Sequence, residues 1–262
     1  MTSYIKAHWD ARARAKRQDP AASWEDVRGI DLEVATIAAA LPPRARLLDV
    51  GCANGHATVR IARASGAAAV TGVDFSQEMI AAAQARLAAE RPVSPFRFEV
   101  ADARALPFGD AAFDAVYTTR MVINLPNWDE QAQAIGELFR VCRPGGRIIL
   151  SEAFWEPLCR LNALRTVAGL RPLAEPDFNR YLRMPRLADL LAARGVEYRV
   201  IEFSGLYYLG TRFVRELVAN ADLDGFDTPL HGLFGDLEET FDAPGFGIQQ
   251  AVVIDLPEGD AR

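Results

Sequence analysis

A chain of 262 residues, half of them hydrophobic, can bury one substantial core, as a single domain or a domain with an insertion. Its 35 acidic side chains against 29 basic ones give a net charge of −6, so a nucleic-acid partner gains no global attraction. Cys52, Cys142 and Cys159 are too few and too scattered for a disulfide framework or a metal site. No run approaches the roughly 20 apolar residues of a membrane helix, and Met1 to Asp10 lacks the apolar core of a signal peptide. The expectation is a soluble cytoplasmic protein with no metal, no membrane and no nucleic-acid partner.

In chain order, Tyr4 to Arg17 is polar and arginine-rich, and Asp31 to Leu41 reads as a helix closed by Pro42-Pro43. Residues 1–43 are thus expected to form an N-terminal helical arm, either packed on the rest or lying as a flap over a ligand. From residue 44 strands and helices alternate. Strands are expected at 46–50, 69–74, 96–101, 113–118 and 147–151. Helices are expected at 55–64, 77–90 and 129–141, with Ser76 suited to cap the second of these. Arg143-Pro144-Gly145-Gly146 reads as a turn into the fifth strand. Strands separated by helices imply right-handed crossovers and a doubly wound, Rossmann-like, mostly parallel sheet. After Glu152 the rhythm breaks. Stretches of about 153–184 and 204–244 read as helical insertions into a domain spanning 44–262, too long for plain connections. A helix at 185–194, a strand at 196–203 and a final strand at 248–256 complete a seven-stranded sheet.

The most informative stretch is Leu47-Leu48-Asp49-Val50-Gly51-Cys52-Ala53-Asn54-Gly55. An apolar strand with an acid near its end runs into a small-residue loop and then a helix. Glycines let the backbone approach a ligand, and a helix N-terminus favours negative charge. The dinucleotide pattern G-x-G-x-x-G is absent, which argues against a nicotinamide-dependent oxidoreductase. The loop instead resembles that of the class I S-adenosylmethionine-dependent methyltransferases of small-molecule type, commonly L-D-V-G-C-G-x-G. The one departure is Ala53 for glycine, which is strained if that position needs a positive φ.

Three further matches, in order and spacing, carry the resemblance across residues 44–152. Asp74 ends the second strand about 20 residues past the loop, where an acid accepts from a ribose diol. Asp102, in Val100-Ala101-Asp102-Ala103 followed by Leu106-Pro107-Phe108, matches the family's adenine-binding acid. The R-P-G-G turn matches the approach to the fifth strand. The resemblance implies an enzyme with S-adenosyl-L-methionine as cofactor. It would be held by Asp49, Gly51, Cys52, Ala53, Gly55, Asp74, Phe75, Met79, Asp102, Ala103 and Arg120. Asp49 would orient the loop or meet the cofactor's ammonium, Phe75 and Met79 would cover the adenine, and Arg120 would face the methionine end or an anionic acceptor.

Small-molecule members often carry a histidine after the fourth strand; here that position is Asn124, which can donate or accept a hydrogen bond but is no base. Glu152 at the tip of the fifth strand is the leading candidate base, with His56 and Tyr207 as further catalytic candidates. The acceptor is expected to be a small polar organic molecule, most simply an oxygen nucleophile such as a sugar or natural-product hydroxyl. Trp155, Asn179, Arg180 and Tyr181 in the first insertion, with Tyr208 and Arg212 in the second, would recognise it. N-methylation and a non-catalytic cofactor-binding module are the alternatives, and a homodimer is left open.

Overall fold

A computed structural model of the chain describes residues 3–92, 94–218, 225, 228–241 and 245–258. Its centre is a seven-stranded sheet in the order β3-β2-β1-β4-β5-β7-β6. The strands are β1 Arg46–Val50, β2 Ala69–Asp74, β3 Phe96–Val100, β4 Phe113–Thr119, β5 Cys142–Ala153, β6 Tyr198–Glu202 and β7 Gln249–Asp255. β1 to β5 pair in parallel, and β7 runs antiparallel to both β5 and β6. Leu48, Val116, Ile148 and Ile149 on the central strands are wholly buried. That follows from helices covering both faces of a parallel sheet, so these strands are continuously apolar rather than alternating.

Helices α1 Ser3–Lys16, α2 Val27–Ala40, α3 His56–Ser65, α4 Gln77–Glu90 and α5 Trp128–Val141 belong to the first five strands. Ser76 does cap α4, accepting from the Met79 N–H at 3.2 Å. Helix α2 starts four residues before the predicted position because Asp26 caps it, accepting from Gly29 N–H at 3.0 Å. β5 is longer than expected at its start. The Arg143-Pro144-Gly145-Gly146 stretch lies within the strand as an irregularity, where the β4 pairing shifts between Phe113 and Ala115, rather than as a separate turn. No helix separates β3 from β4 among the described residues.

Beyond β5 come α6 Trp155–Val167 and α7 Met184–Ala192. Between β6 and β7 lie α8 Gly205–Leu209, a π-helical stretch Gly210–Val214, α9 Arg215–Val218 and α10 Pro229–Glu238. Part of the expected insertion at 204–244 (219–224, 226–227 and 242–244) lies outside the described residues. No helix among those described is long and apolar enough to cross a membrane.

Strand order puts the carboxyl ends of β3, β2, β1 and β4 side by side. The chain reverses direction of growth between β1 and β4, where an open sheet leaves a crevice.

Candidate active site

The loop after β1 and the tips of β2, β3 and β4 border one open cleft. Gly51, Cys52, Ala53 and Asn54 form its floor. Asp74, Phe75 and Met79 come from β2 and α4, and Asp102 and Ala103 from the end of β3. Thr119, Arg120, Met121 and Asn124 close the β4 side, and Trp9 of α1 forms an outer wall.

Backbone geometry explains the floor. Gly51 has φ +88°, and a Cβ there would meet Met121 at 2.5 Å. Ala53 has φ +47°, so the family's glycine position is left-handed here as well and the alanine carries strain. The turn is held because the Ala53 N–H donates to Asp74 Oδ2 at 2.9 Å, while the Ser76 N–H donates to Asp74 Oδ1 at 2.8 Å. We therefore expect Ala53→Gly to raise stability by about 1 kcal/mol, strain relief of about 1–2 kcal/mol being partly offset by glycine's greater unfolded entropy. A thermal melt checks this, and a lower melting temperature would contradict it.

The two acids at the tips of β2 and β3 are held by different surroundings. Burial pushes Asp74 up to about 6, opposed by the Ser76 and Ala53 N–H groups and assisted by neighbouring Asp10. Asp74 is thus mainly ionised at neutral pH, with lone pairs to spare beyond its two backbone bonds. Asp102 is held below the usual carboxylate range by Arg104, whose Nε and Nη2 donate to it at 2.9 and 2.5 Å. Arg104 also reaches Glu130 at 2.5 Å. The sequence reading missed this clamp on Asp102, although Arg104 stands two residues beyond it.

A sequence profile described as "Methyltransferase domain" matches residues 47–146. The demethylmenaquinone methyltransferase of Thermus thermophilus is 32% identical over 176 residues, covering 60% of this chain and 78% of its own length. The 27-O-demethylrifamycin SV methyltransferase of Amycolatopsis mediterranei is 36% identical over 142 residues, 51% of this chain and 50% of that one. The chain belongs to the class I S-adenosylmethionine-dependent methyltransferases. The methyltransferase covers 40%, 69% and 50% of the lengths of the first curated relatives it matches. Among solved structures, the cyclase SpnF superposes with a TM-score of 0.57 at 24% identity, over 87% of this chain and 81% of that one, a likeness of fold.

The cleft fits the family's cofactor. Gly51 leaves its floor bare of side chain, Asp74 presents an ionised carboxylate at the β2 tip, and Ala101 to Ala103 line the cleft at the end of β3. Asp74 would take the ribose, Asp102 and Ala103 the adenine edge, and Phe75 and Met79 an apolar wall. Cys52, Ala53 and Arg120 also face the cleft, whereas two expected cofactor residues of the methyltransferase do not. Gly55 has φ +73° and packs under Phe98, so it shapes the start of α3 without touching the cavity. Asp49 is fully buried beneath the floor, where Thr58 Oγ1 donates to it at 2.7 Å; burial lifts it to about 7.

The catalytic candidates need correction. Glu152 is wholly buried and does not face the cleft. Its Oε1 accepts from Thr118 Oγ1 at 2.7 Å and from the Met121 and Val122 N–H groups at 3.1 and 3.0 Å, and its Oε2 accepts from Ile123 N–H at 3.3 Å. It anchors the 3-10 turn Val122–Asn124 and has no room to take an acceptor's proton. His56 turns from the cleft toward Arg60, 3.3 Å away, and burial with Arg86 and Arg60 drives it down to about 4. Tyr207 is buried and donates to Asp26. Asn124 alone of the four lines the cleft, its amide fixed by donation to Arg120 O at 2.6 Å and by acceptance from Trp9 Nε1 at 3.2 Å.

The six expected acceptor residues also lie off the cleft. Trp155 stacks under Arg183 at 4.7 Å, and Arg180 points to solvent. Asn179 and Tyr181 belong to the segment before α7, where Tyr181 N–H donates to Glu175. Arg212 lies over the Tyr208 ring at 5.3 Å and pairs with buried Asp26 at 2.5 Å, so it ties the cap to the start of α2. What the sequence reading undervalued is α1. Trp9 walls the cleft, His8 stacks on Phe178 at 4.2 Å, and Asn54 of the floor donates to the Arg17 and Asp19 carbonyls.

Buried carboxyls give the ligand-free protein a pH signature. Asp49, Asp74 and Glu152 sit at about 7, 6 and 7 against ordinary values of 3.8, 3.8 and 4.5, burial being the main cause in each. The folded state keeps protons that the unfolded chain has released, so this contribution is full below the ordinary values and is lost as pH rises toward 7. His56, lowered from 6.5 to about 4, and His8, lowered by burial and Arg12, work in the opposite direction over part of that range. Asp114, held at about 2 by Arg46, matters only in stronger acid. Three carboxyls outweigh two imidazoles, so the melting temperature is expected to fall between pH 5 and 7.5. Glu152→Gln should flatten that fall; a curve rising across the interval would refute the assignment.

Proposed function

We propose that the protein transfers a methyl group from S-adenosylmethionine to an oxygen of a small polar organic acceptor, such as a natural-product or sugar hydroxyl. The observation that carries this is the pairing of Asp74 and Asp102 on consecutive strand tips, both facing the cleft floored by the glycine loop. The rifamycin relative, whose name specifies O-methylation, supports the choice of oxygen. When bound, the cofactor supplies an electrophilic methyl group on a sulfonium.

The chain's own residues supply position. With the adenosine end at β2 and β3, the reacting end falls toward the seam of β1 and β4, where Thr119, Arg120 and Asn124 face the cleft. Holding the acceptor oxygen close to the methyl carbon is the main source of acceleration in such a transfer. Trp9 limits water on that side, which strengthens the electrostatic interactions inside.

Titration with S-adenosylhomocysteine followed by mass spectrometry of a cell extract incubated with labelled methyl donor tests the proposal. Absence of binding removes it, and a label on nitrogen or carbon corrects the atom. A second reading, a cofactor-binding module without transfer, draws on Asn124 standing where relatives often carry a base and on a cyclase sharing the fold. Any methylated product dismisses it.

A further inference from the structure

Among the described residues that line the cleft, the titratable groups are Asp74, Asp102, Cys52 and Arg120. The two acids are at the adenosine end and are already hydrogen-bonded. Burial holds the Cys52 thiol protonated. At the β4 end the cleft therefore offers a cation and no base.

That cation is built in. Arg120 has φ +54°, a strained conformation for a side chain of this size. Its N–H donates to Ser151 O at 2.7 Å, and its carbonyl accepts from Asn124. One guanidinium nitrogen, Nη1, pairs with Glu33, which is itself wholly buried and accepts from Ser151 Oγ at 2.6 Å. The guanidinium lies over Trp24 at 4.8 Å. Backbone, ion pair and aromatic ring thus fix the plane of the fork. Its Nε and Nη2 have no hydrogen-bond partner among the described residues. The charged and titratable groups around it are Glu33 of α2, Asp26 before α2, Glu152 of β5 and Tyr208 of α8.

We propose that Arg120 is the acceptor-activating residue, and that the acceptor is an oxygen acid (a phenol, enol or carboxylic acid) bound as its anion against the guanidinium edge that Glu33 leaves free. This rests on the O-methylation reading and narrows it. The acceptor's proton goes to bulk water on binding. Its oxygen keeps the electron pair and forms the new O–C bond to the methyl carbon, while the pair of the breaking C–S bond leaves with sulfur. A charge-assisted hydrogen bond from a fixed guanidinium holds the oxyanion and no protein base takes part.

The probe is 4-nitrophenol, whose anion is coloured. Added to protein saturated with S-adenosylhomocysteine, its bound pKa should read at least one unit below that in buffer, a tenfold shift toward the anion. The double variant Glu33→Gln, Arg120→Gln, which strands no buried carboxylate, should abolish the shift, and Arg120→Lys should keep part of it. In turnover with a panel of phenols, an enol, a benzoate, an aliphatic alcohol and an amine, the pH inflection should move with each acceptor's own pKa. The class methylated fastest then identifies which oxygen acid is natural.

A dye that stays protonated or fails to bind overturns the inference, as does an inflection fixed across the panel. Preference for the alcohol or amine overturns it too. A tenfold loss of S-adenosylhomocysteine affinity in the double variant would assign Arg120 to the cofactor's carboxylate instead. No S-adenosylhomocysteine binding by the unmodified protein would overturn the methyltransfer reading itself, which separates the two failures.

Discussion

The Asp74→Ala variant will fail to bind S-adenosylhomocysteine in a calorimetric titration that the unmodified protein passes. Two ribose hydroxyls donating to an ionised acid are worth about 1.5–3 kcal/mol each, so their loss alone weakens binding by at least about 100-fold. The same carboxylate also holds the floor, since the Ala53 and Ser76 N–H groups both donate to it. Without it a left-handed alanine loses its tether, and the loop no longer stays in the shape that admits the ligand. Asp74→Asn separates the two roles. It keeps one oxygen acceptor for the loop but loses the charge, and is expected to bind weakly rather than not at all. Undiminished affinity in Asp74→Ala would mean that the ribose lies elsewhere.

Glu152→Ala is expected to damage the fold more than the chemistry. Removing the carboxylate strands Thr118 Oγ1 and three backbone N–H groups in a dry interior. Each stranded donor costs about 1–3 kcal/mol, so a loss of about 4 kcal/mol is a fair expectation. For a chain of this size that lowers the melting temperature by roughly 10 °C. The turn that carries Asn124 hangs on those bonds, so the β4 wall of the cleft loosens with it. Glu152→Gln retains one oxygen acceptor and should fall between the two. Full stability in Glu152→Ala would show that the buried carboxylate is dispensable, and a general-base role would return to consideration.

These two acids show what the sequence made legible. Asp74 could be read because its position is local: a strand tip at a set distance from a glycine loop, followed by Ser76 as a cap. Most strands and helices were legible for the same reason, since apolar runs and capping residues act over a few positions. Glu152 was misread because its surroundings come from residues about thirty positions earlier, and no periodicity shows that a 3-10 turn folds its N–H groups onto that carboxylate. Arg104 and Trp9 were passed over on similar grounds. Arginine is so common in this chain that one beside an acid drew no notice, and an indole in a polar arm gives no sign of meeting Asn124. The cap residues failed as acceptor ligands because composition names aromatic and basic groups without telling whether they face a cavity or one another.

The arm also has a bearing on assembly. α1 is synthesised before most of its partners: Ser76 for Asp10, Asn124 for Trp9 and Phe178 for His8. Until those segments leave the ribosome, α1 has only the adjacent turn to hold, where Arg12 donates to the Ala21 and Ala22 carbonyls. Its polar, arginine-rich composition suits that wait, because a strongly apolar segment left unpaired would invite aggregation. α1 thus takes its place only after segments well downstream of it exist, and the crevice acquires its outer wall no earlier than the turn that carries Asn124.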